Sequence, residues 1–385
     1  VNIKFSAYLS NPFYLTRLVK FFKIDGKVPT TLSDFYDQII FEKVLSDETR
    51  YDKKEAIDQL QPLIRKIAFC MTLTGRSALS AREIAKLVPD KKDRDNLRYF
   101  SILIETNDPD KSLEFEHNNL REYFSAVSIS ALSFEDIISL ISLPYNRERI
   151  NPIFSNTLLF IFEIAGKQQH KFLKLLNWLL EYNPETLVQF EKEYLNDGFK
   201  LDVLRKIILK YRDLGLTIRT SLNFSSQHLA TFVGNSHGVM TFLIKEIHES
   251  SSEVYVDDLL EIIGSLKDPY VHKKKILNLF YQLLNDQTRS AYTHSRVIDS
   301  MRYCQFNEKV IIDSILTSGV DLSNVEVRRA ILYLLNSNDY FENYFDFILA
   351  SVEILETHAR EKTFHGYFTS IKRLLLKVES SENIT

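Results

Sequence analysis

Two short stretches of the 385-residue chain carry residue types at spacings that could do chemistry. The first is residues 115–126, FEHNNLREYFSA. An extended approach delivers His117 to the start of an amphipathic helix bearing Leu120, Tyr123 and Phe124. The first N–H groups of a helix have no partner inside it, and its dipole favours negative charge there. A histidine at such a start can donate to a phosphate oxygen, so the stretch reads as an anion site. An ordinary helix-start or surface histidine is the alternative. The second stretch is residues 9–22, LSNPFYLTRLVKFF. Ser10 or Asn11 can cap a helix here, and Pro12 suits its first position, where no N–H is needed. On these residues alone it is a well-started helix.

No self-contained catalytic centre is visible. There is no G-x-x-x-x-G-K-[ST]: Gly26-Lys27 and Gly166-Lys167 lack both the preceding glycine and the following hydroxyl. Without that loop no nest of backbone N–H groups cradles a triphosphate. Paired acids at the end of an apolar strand, G-x-S-x-G, H-E-x-x-H and C-x-x-C are absent as well. The 51 Asp and Glu are numerous enough for chance proximity, so no pair is singled out. Cys70 and Cys304 sit in apolar, helix-like surroundings and read as buried free thiols, with no zinc-like spacing. Such usage fits a reducing cytosol, and the expected location is cytoplasmic.

The elements that must position these residues are mostly helices. Gly and Pro are scarce, and apolar residues recur at three- and four-residue spacing, as in residues 60–71 and 203–214. One region departs from this. Residues 100–106 (FSILIET) and 112–116 (SLEFE) read as two strands around a turn, NDPDK. Helices are predicted before it at about residues 57–74, 80–87 and 92–99, and after it at about 118–132. Ser80 with Glu83 gives the middle helix a capping-box start. Three helices and a hairpin are the inventory of a winged helix. Arg82 and Lys86 on its second helix form an ordinary solvated face rather than a dense base-reading surface.

Beyond about residue 133 everything reads as helix pairs. Three segments, beginning at residues 203, 272 and 326, lead into apolar helices with two basic residues but share no fixed period. HEAT-type repeats of irregular length or simply a helical array are expected. Residues 379–385 read as a polar tail.

Size and charge bound the function. A mass of 45.0 kDa calls for two or more domains. The net charge of −3 excludes the strongly basic balance of non-specific nucleic-acid binders, so nucleic acid is not an expected partner. No apolar run approaches the ~18 residues of a membrane span, and no secretory leader is visible. Val1 stands first, in mid-pattern, and the chain is expected to be part of a longer protein.

Phe115, His117, Glu122, Tyr123 and Ala126 resemble the F-x-H-x-x-x-x-E-[YF]-x-x-[AG] signature that closes the winged helix of NACHT ATPases, within the STAND class. Upstream, Asn11-Pro12 with Leu15 and Leu18 resembles the N-P-[LF]-x-L-x-x-L stretch of their helical domain, and residues 32–48 resemble the next helix, after a short loop containing Val28-Pro29. The match covers roughly residues 1–132. It implies a mainly α protein: a partial helical domain (1–48), a winged helix with a small β-hairpin (49–132) and an α-helical repeat, HEAT-like, sensor (133–378). It implies that Pro12 packs near the adenine of ADP, that His117 contacts the β-phosphate, and that Glu122 and Tyr123 belong to the helix that locks the domain. ADP or ATP with Mg is expected in the full-length protein, but not bound by this part alone. A protein ligand or trigger on the C-terminal array, and self-association on activation, are the implied partners; no membrane is. Innate immune or antiphage defence is the expected setting. Two alternatives remain: a helical-repeat interaction scaffold that never meets nucleotide, and a winged-helix transcription regulator.

Overall fold

In a computed structural model, the described residues are 12–26, 28–29, 31–51, 54–166, 169–190, 195–221, 224–306, 308–336, 341–358, 371–374 and 376. Ser10, Asn11 and the tail at 379–385 lie outside them. The protein is mainly α-helical, with small antiparallel sheets, and forms two units, Val1–Tyr194 and Leu195–Thr385. The expected boundaries after residues 48 and 132 both lie within the first unit.

In the first unit, α1 (Pro12–Asp25) buries Tyr14, Leu18 and Phe21, spaced to share one face, against Phe35, Tyr36 and Ile39 of α2 (Leu32–Tyr51). Next come α3 (Lys54–Thr74), β1 (Ala78–Leu79), α4 (Ala81–Leu87), α5 (Lys91–Leu97), β2 (Leu103–Glu105), β3 (Leu113–Phe115) and α6 (Asn118–Ser130). The three strands pair antiparallel in the order β1-β3-β2, with Leu103 opposite Phe115 and Ala78 opposite Glu114. The predicted hairpin turns at Asp108, whose carboxylate accepts the Ser112 N–H at 3.0 Å. The predicted capping box is complete: the Ser80 hydroxyl accepts the Glu83 N–H, and the Glu83 carboxylate accepts the Ser80 N–H at 3.0 Å. The α3 helix packs along α6.

After α7 (Phe134–Ile141) the chain departs from the helix pairs expected beyond residue 133. A second hairpin, β4 (Ser142–Leu143) with β5 (Asn146–Ile150), intervenes. Pro144 disfavours helix for the residue before it, and Arg147, Glu148 and Arg149 offer no apolar face. Helices α8 (Ser155–Gly166), α9 (Gln169–Tyr182) and α10 (Pro184–Leu187) complete the described part of the first unit.

Among the described residues, the longer helices of the second unit are α11 (Asp197–Leu214), α12 (Ser226–Val233), α13 (His237–Glu249), α14 (Glu253–Ser265), α15 (Lys273–Asn285), α16 (Ala291–Tyr303), α17 (Lys309–Leu316), α18 (Val325–Asn336) and α19 (Phe345–His358). Helices α12, α14, α16 and α18 stack in succession, and α13 and α15 pack against α14 and α16. Alternate helices α13, α15, α17 and α19 start at residues 237, 273, 309 and 345, in equal steps of 36. Met240, Ile276, Ile312 and Ile348 repeat at the same step, and all four are fully buried. The segments at the starts of α15 and α17 are tied together: the Tyr270 hydroxyl donates to the Gln305 carbonyl at 2.9 Å, and Lys273 pairs with Glu308. The basic-led segments at 203 and 272 belong to α11 and α15, but that at 326 belongs to α18, in the other series. That mixture hides the period.

Both cysteines are free; Cys304 is buried, whereas Cys70 is only half-buried. Burial pushes the Cys304 thiol up to about 12. Among the described residues no helix is long and apolar enough to cross a membrane.

Candidate functional site

Strand β3 ends on Phe115, whose ring lies 6.0 Å from that of Phe124, nearly two turns into α6. That contact fixes how the strand enters the helix. His117 is the N-cap of α6, in extended conformation (φ −146°, ψ 136°), and its Nδ1 accepts the Asn119 N–H at 3.2 Å. A neutral imidazole accepting through Nδ1 carries its proton on Nε2. Next to it, Glu116 pairs with Lys43 of α2 at 2.6 Å.

The first turns of α6 are tied to three other helices. The Asn119 side-chain amide donates to the Tyr14 hydroxyl of α1 at 2.5 Å, and Tyr14 shares a 2.9 Å hydrogen bond with Tyr36 of α2. The Tyr36 ring stacks on that of Tyr123, with centroids 5.8 Å apart and planes 19° from parallel. Phe160 of α8 meets both rings edge-on, at 5.3 and 5.6 Å. The Tyr123 hydroxyl donates to the Asp37 carboxylate, and the Asn156 amide donates to Glu122 at 3.2 Å. At the start of α2, the Ser33 N–H donates to Glu163 of α8 at 2.6 Å.

Burial sets the protonation of this junction. It raises the Tyr36 and Tyr123 phenols far above their ordinary value, and hydrogen bonding to the Asp37 carboxylate adds to the shift of Tyr123. Both therefore remain neutral donors. Desolvation also raises the Glu122 carboxyl, a shift only partly offset by the Asn156 hydrogen bond and the nearby Arg121.

The structure puts Pro12 at the first position of α1, exposed, two residues ahead of Tyr14. His117 stands two residues ahead of Asn119. The Tyr14–Asn119 hydrogen bond thus joins the starts of the two helices that carry the predicted residues, across 105 positions of sequence. Glu122 and Tyr123, adjacent in sequence, reach different helices, α8 and α2. Sequence reasoning did not find Tyr14, Tyr36, Asp37 or Asn119. Tyr14 and Tyr36 were accessible through their helical spacing with Leu18 and Ile40, whereas Asp37 and Asn119 look like ordinary helix-surface residues.

No protein-family model matches this chain, and no solved structure matches it.

Proposed function

We propose that this chain is the regulatory and sensor portion of a nucleotide-switched ATPase of the NACHT type. The observation that carries this reading is the hydrogen-bonded start of α1 and α6, with Tyr14 and Asn119 joining the helices that bear Pro12 and His117. A two-state latch needs such a joint: a phosphate accepting the His117 Nε2–H would hold α6 against α1 and α2, and its loss would release that packing. The order α3, β1, α4, α5, β2, β3, with sheet order β1-β3-β2, supports a winged helix for this region. The 36-residue step of the second unit supports a HEAT-like array as the sensor.

The residues present fit part of a nucleotide site. His117 stands at a helix start, where a phosphate would be favoured, and exposed Pro12 supplies an apolar surface for a base. The triphosphate-cradling loop, the acids that hold Mg and any effector are assigned to other parts of a longer protein. ADP would stabilise the closed state. A protein trigger on the array would open it, and ATP binding would favour self-association. The proposed setting is cytoplasmic defence signalling.

One observation favours the scaffold alternative: His117 already has a structural task, as the cap of α6. Calorimetry on the full-length protein separates the two. Wild type should bind ADP, and His117→Ala should weaken it by about 1.5–3 kcal/mol, the range for a hydrogen bond to a charged group. Absent or unchanged binding would leave a helical scaffold.

A further inference from the structure

The starts of α13, α15 and α17 are tied into a row along one edge of the second unit. Just before α13, the Asn235 carbonyl accepts from the His272 Nε2–H at 2.6 Å, and the Asn235 amide donates to the Asp268 carbonyl at 2.9 Å. Tyr270 and Lys273 make the next link, to Gln305 and Glu308 just before α17. The row is held by these bonds, which leaves other side chains of the edge turned to solvent.

Those side chains are basic. The α15 helix opens on Lys273, Lys274 and Lys275 and carries no acid along its length. Lys273 is engaged by Glu308 and by the faces of Tyr270 and Phe306. Lys274 and Lys275 are exposed, as are His237 and Lys309 at the first positions of α13 and α17. None of these four makes an ion pair with a described residue. Lys275 Nζ instead meets His237 Nδ1 at 3.2 Å, and Lys309 Nζ reaches the Asn343 side-chain oxygen at 3.5 Å.

The described acids around the row leave this charge in excess. On α11, whose Leu201 lies against Gly238, Asp197 and Asp202 pair with Lys200 and Arg205. Glu308 is taken by Lys273, and Asp313 faces Tyr344, accepting its hydroxyl at 2.8 Å. Asp268 and Asp313 thus stand against Lys267, Lys274, Lys275 and Lys309. The basic surface ends at α19, which opens on Phe345 and Asp346.

Charge and apolar area together select the partner. Val271 is 65% exposed beside the lysines of α15, and Val310 follows Lys309 in α17. These side chains, and the lysine stems, gain by burial against other side chains. A nucleic acid would satisfy the ammonium groups but offers phosphate rather than apolar cover, and a net charge of −3 gives no long-range attraction to it. We infer that this edge docks an acidic protein segment, its carboxylates on Lys274, Lys275 and Lys309 and its apolar side chains on Val271 and Val310. Packed helices lie about 8–10 Å apart, so acids about three residues apart on an extended segment would reach successive helix starts. The inference deepens the sensor reading and rests on it for what docking does.

The test is fluorescence anisotropy with the full chain, without nucleotide. The probes are a labelled peptide repeating Glu-Leu-Ser, the same peptide with Gln for Glu, and a labelled DNA duplex. The acidic peptide should bind saturably, and less tightly in high salt. Lys274→Glu combined with Lys275→Glu should weaken it about tenfold or more, the loss of charge-assisted contacts. Val310→Ser should weaken it about threefold or more, through lost apolar burial. Lys245→Glu, at the other end of α13, should leave it unchanged. The assignment is overturned if the acidic peptide does not bind, if the neutral peptide or the duplex binds as tightly, if Val310→Ser binds like wild type, or if Lys245→Glu costs as much as the paired lysine change. Because no nucleotide is present, each of these outcomes leaves the His117 reading to its own test.

Discussion

At the scale of single residues, the junction at the start of α6 shows how small groups set large contacts. Tyr14 accepts from Asn119 and shares a hydrogen bond with Tyr36 in a buried setting. Tyr14→Phe keeps the ring but orphans the Asn119 amide, and is expected to cost about 1–3 kcal/mol in urea unfolding. A variant as stable as wild type would mean these bonds merely replace water. In the second unit, Asp258 is 2% exposed and accepts the Ile218 N–H at 2.7 Å. Burial, chiefly, raises its pKa from 3.8 to about 6. A raised carboxyl pKa favours folding in the protonated form. The contribution is complete below the unfolded value and is lost as pH rises through about 6. Asp258→Asn keeps the acceptor and removes the charge. It should stabilise the protein at neutral pH by about 1–3 kcal/mol and flatten the fall in stability over that window. A variant that is less stable at neutral pH would show that the charge is held by the neighbouring Arg219.

Among the elements, what was legible depended on length and on periodicity. The helices α3 to α6 and the hairpin could be read because each has caps, a turn or a repeating apolar face. Strand β1 has two residues, too few to show alternation, and gains its identity only by pairing with β3. The hairpin at β4 and β5 was hidden because its residues lack an apolar face, leaving only Pro144 as a signal. Asn119 and Asp37 were invisible for another reason: what distinguishes them from surface residues is a partner more than 80 positions away. The 36-residue step was present in the sequence, carried by Met240, Ile276, Ile312 and Ile348 rather than by the basic residues. Their burial makes a contrast within one helix. Ile312→Ala in α17 should cost about 2–5 kcal/mol, whereas Val310→Ala, at a position 73% exposed, should stay within about 0.5 kcal/mol. Equal losses at both would contradict the assignment of this helix to the buried series.

For the whole molecule, composition excludes more than it identifies. A net charge of −3 leaves little electrostatic attraction for a polyanion, which bears on the winged helix proposed for the first unit. Anisotropy with a labelled duplex at low salt should show no salt-sensitive affinity; a steep salt dependence would revive the transcription-regulator alternative. The central claim is that His117 binds nucleotide phosphate in addition to capping α6. Substituting asparagine separates the two roles, because Asn is a good N-cap but cannot reproduce the imidazole Nε2–H. The decisive measurement is the ADP affinity of the full-length protein, wild type against His117→Asn, with thermal stability recorded without nucleotide. The account predicts near-equal stability and a marked loss of ADP affinity. Equal affinity, or no ADP binding by wild type, would contradict it and leave His117 as a cap.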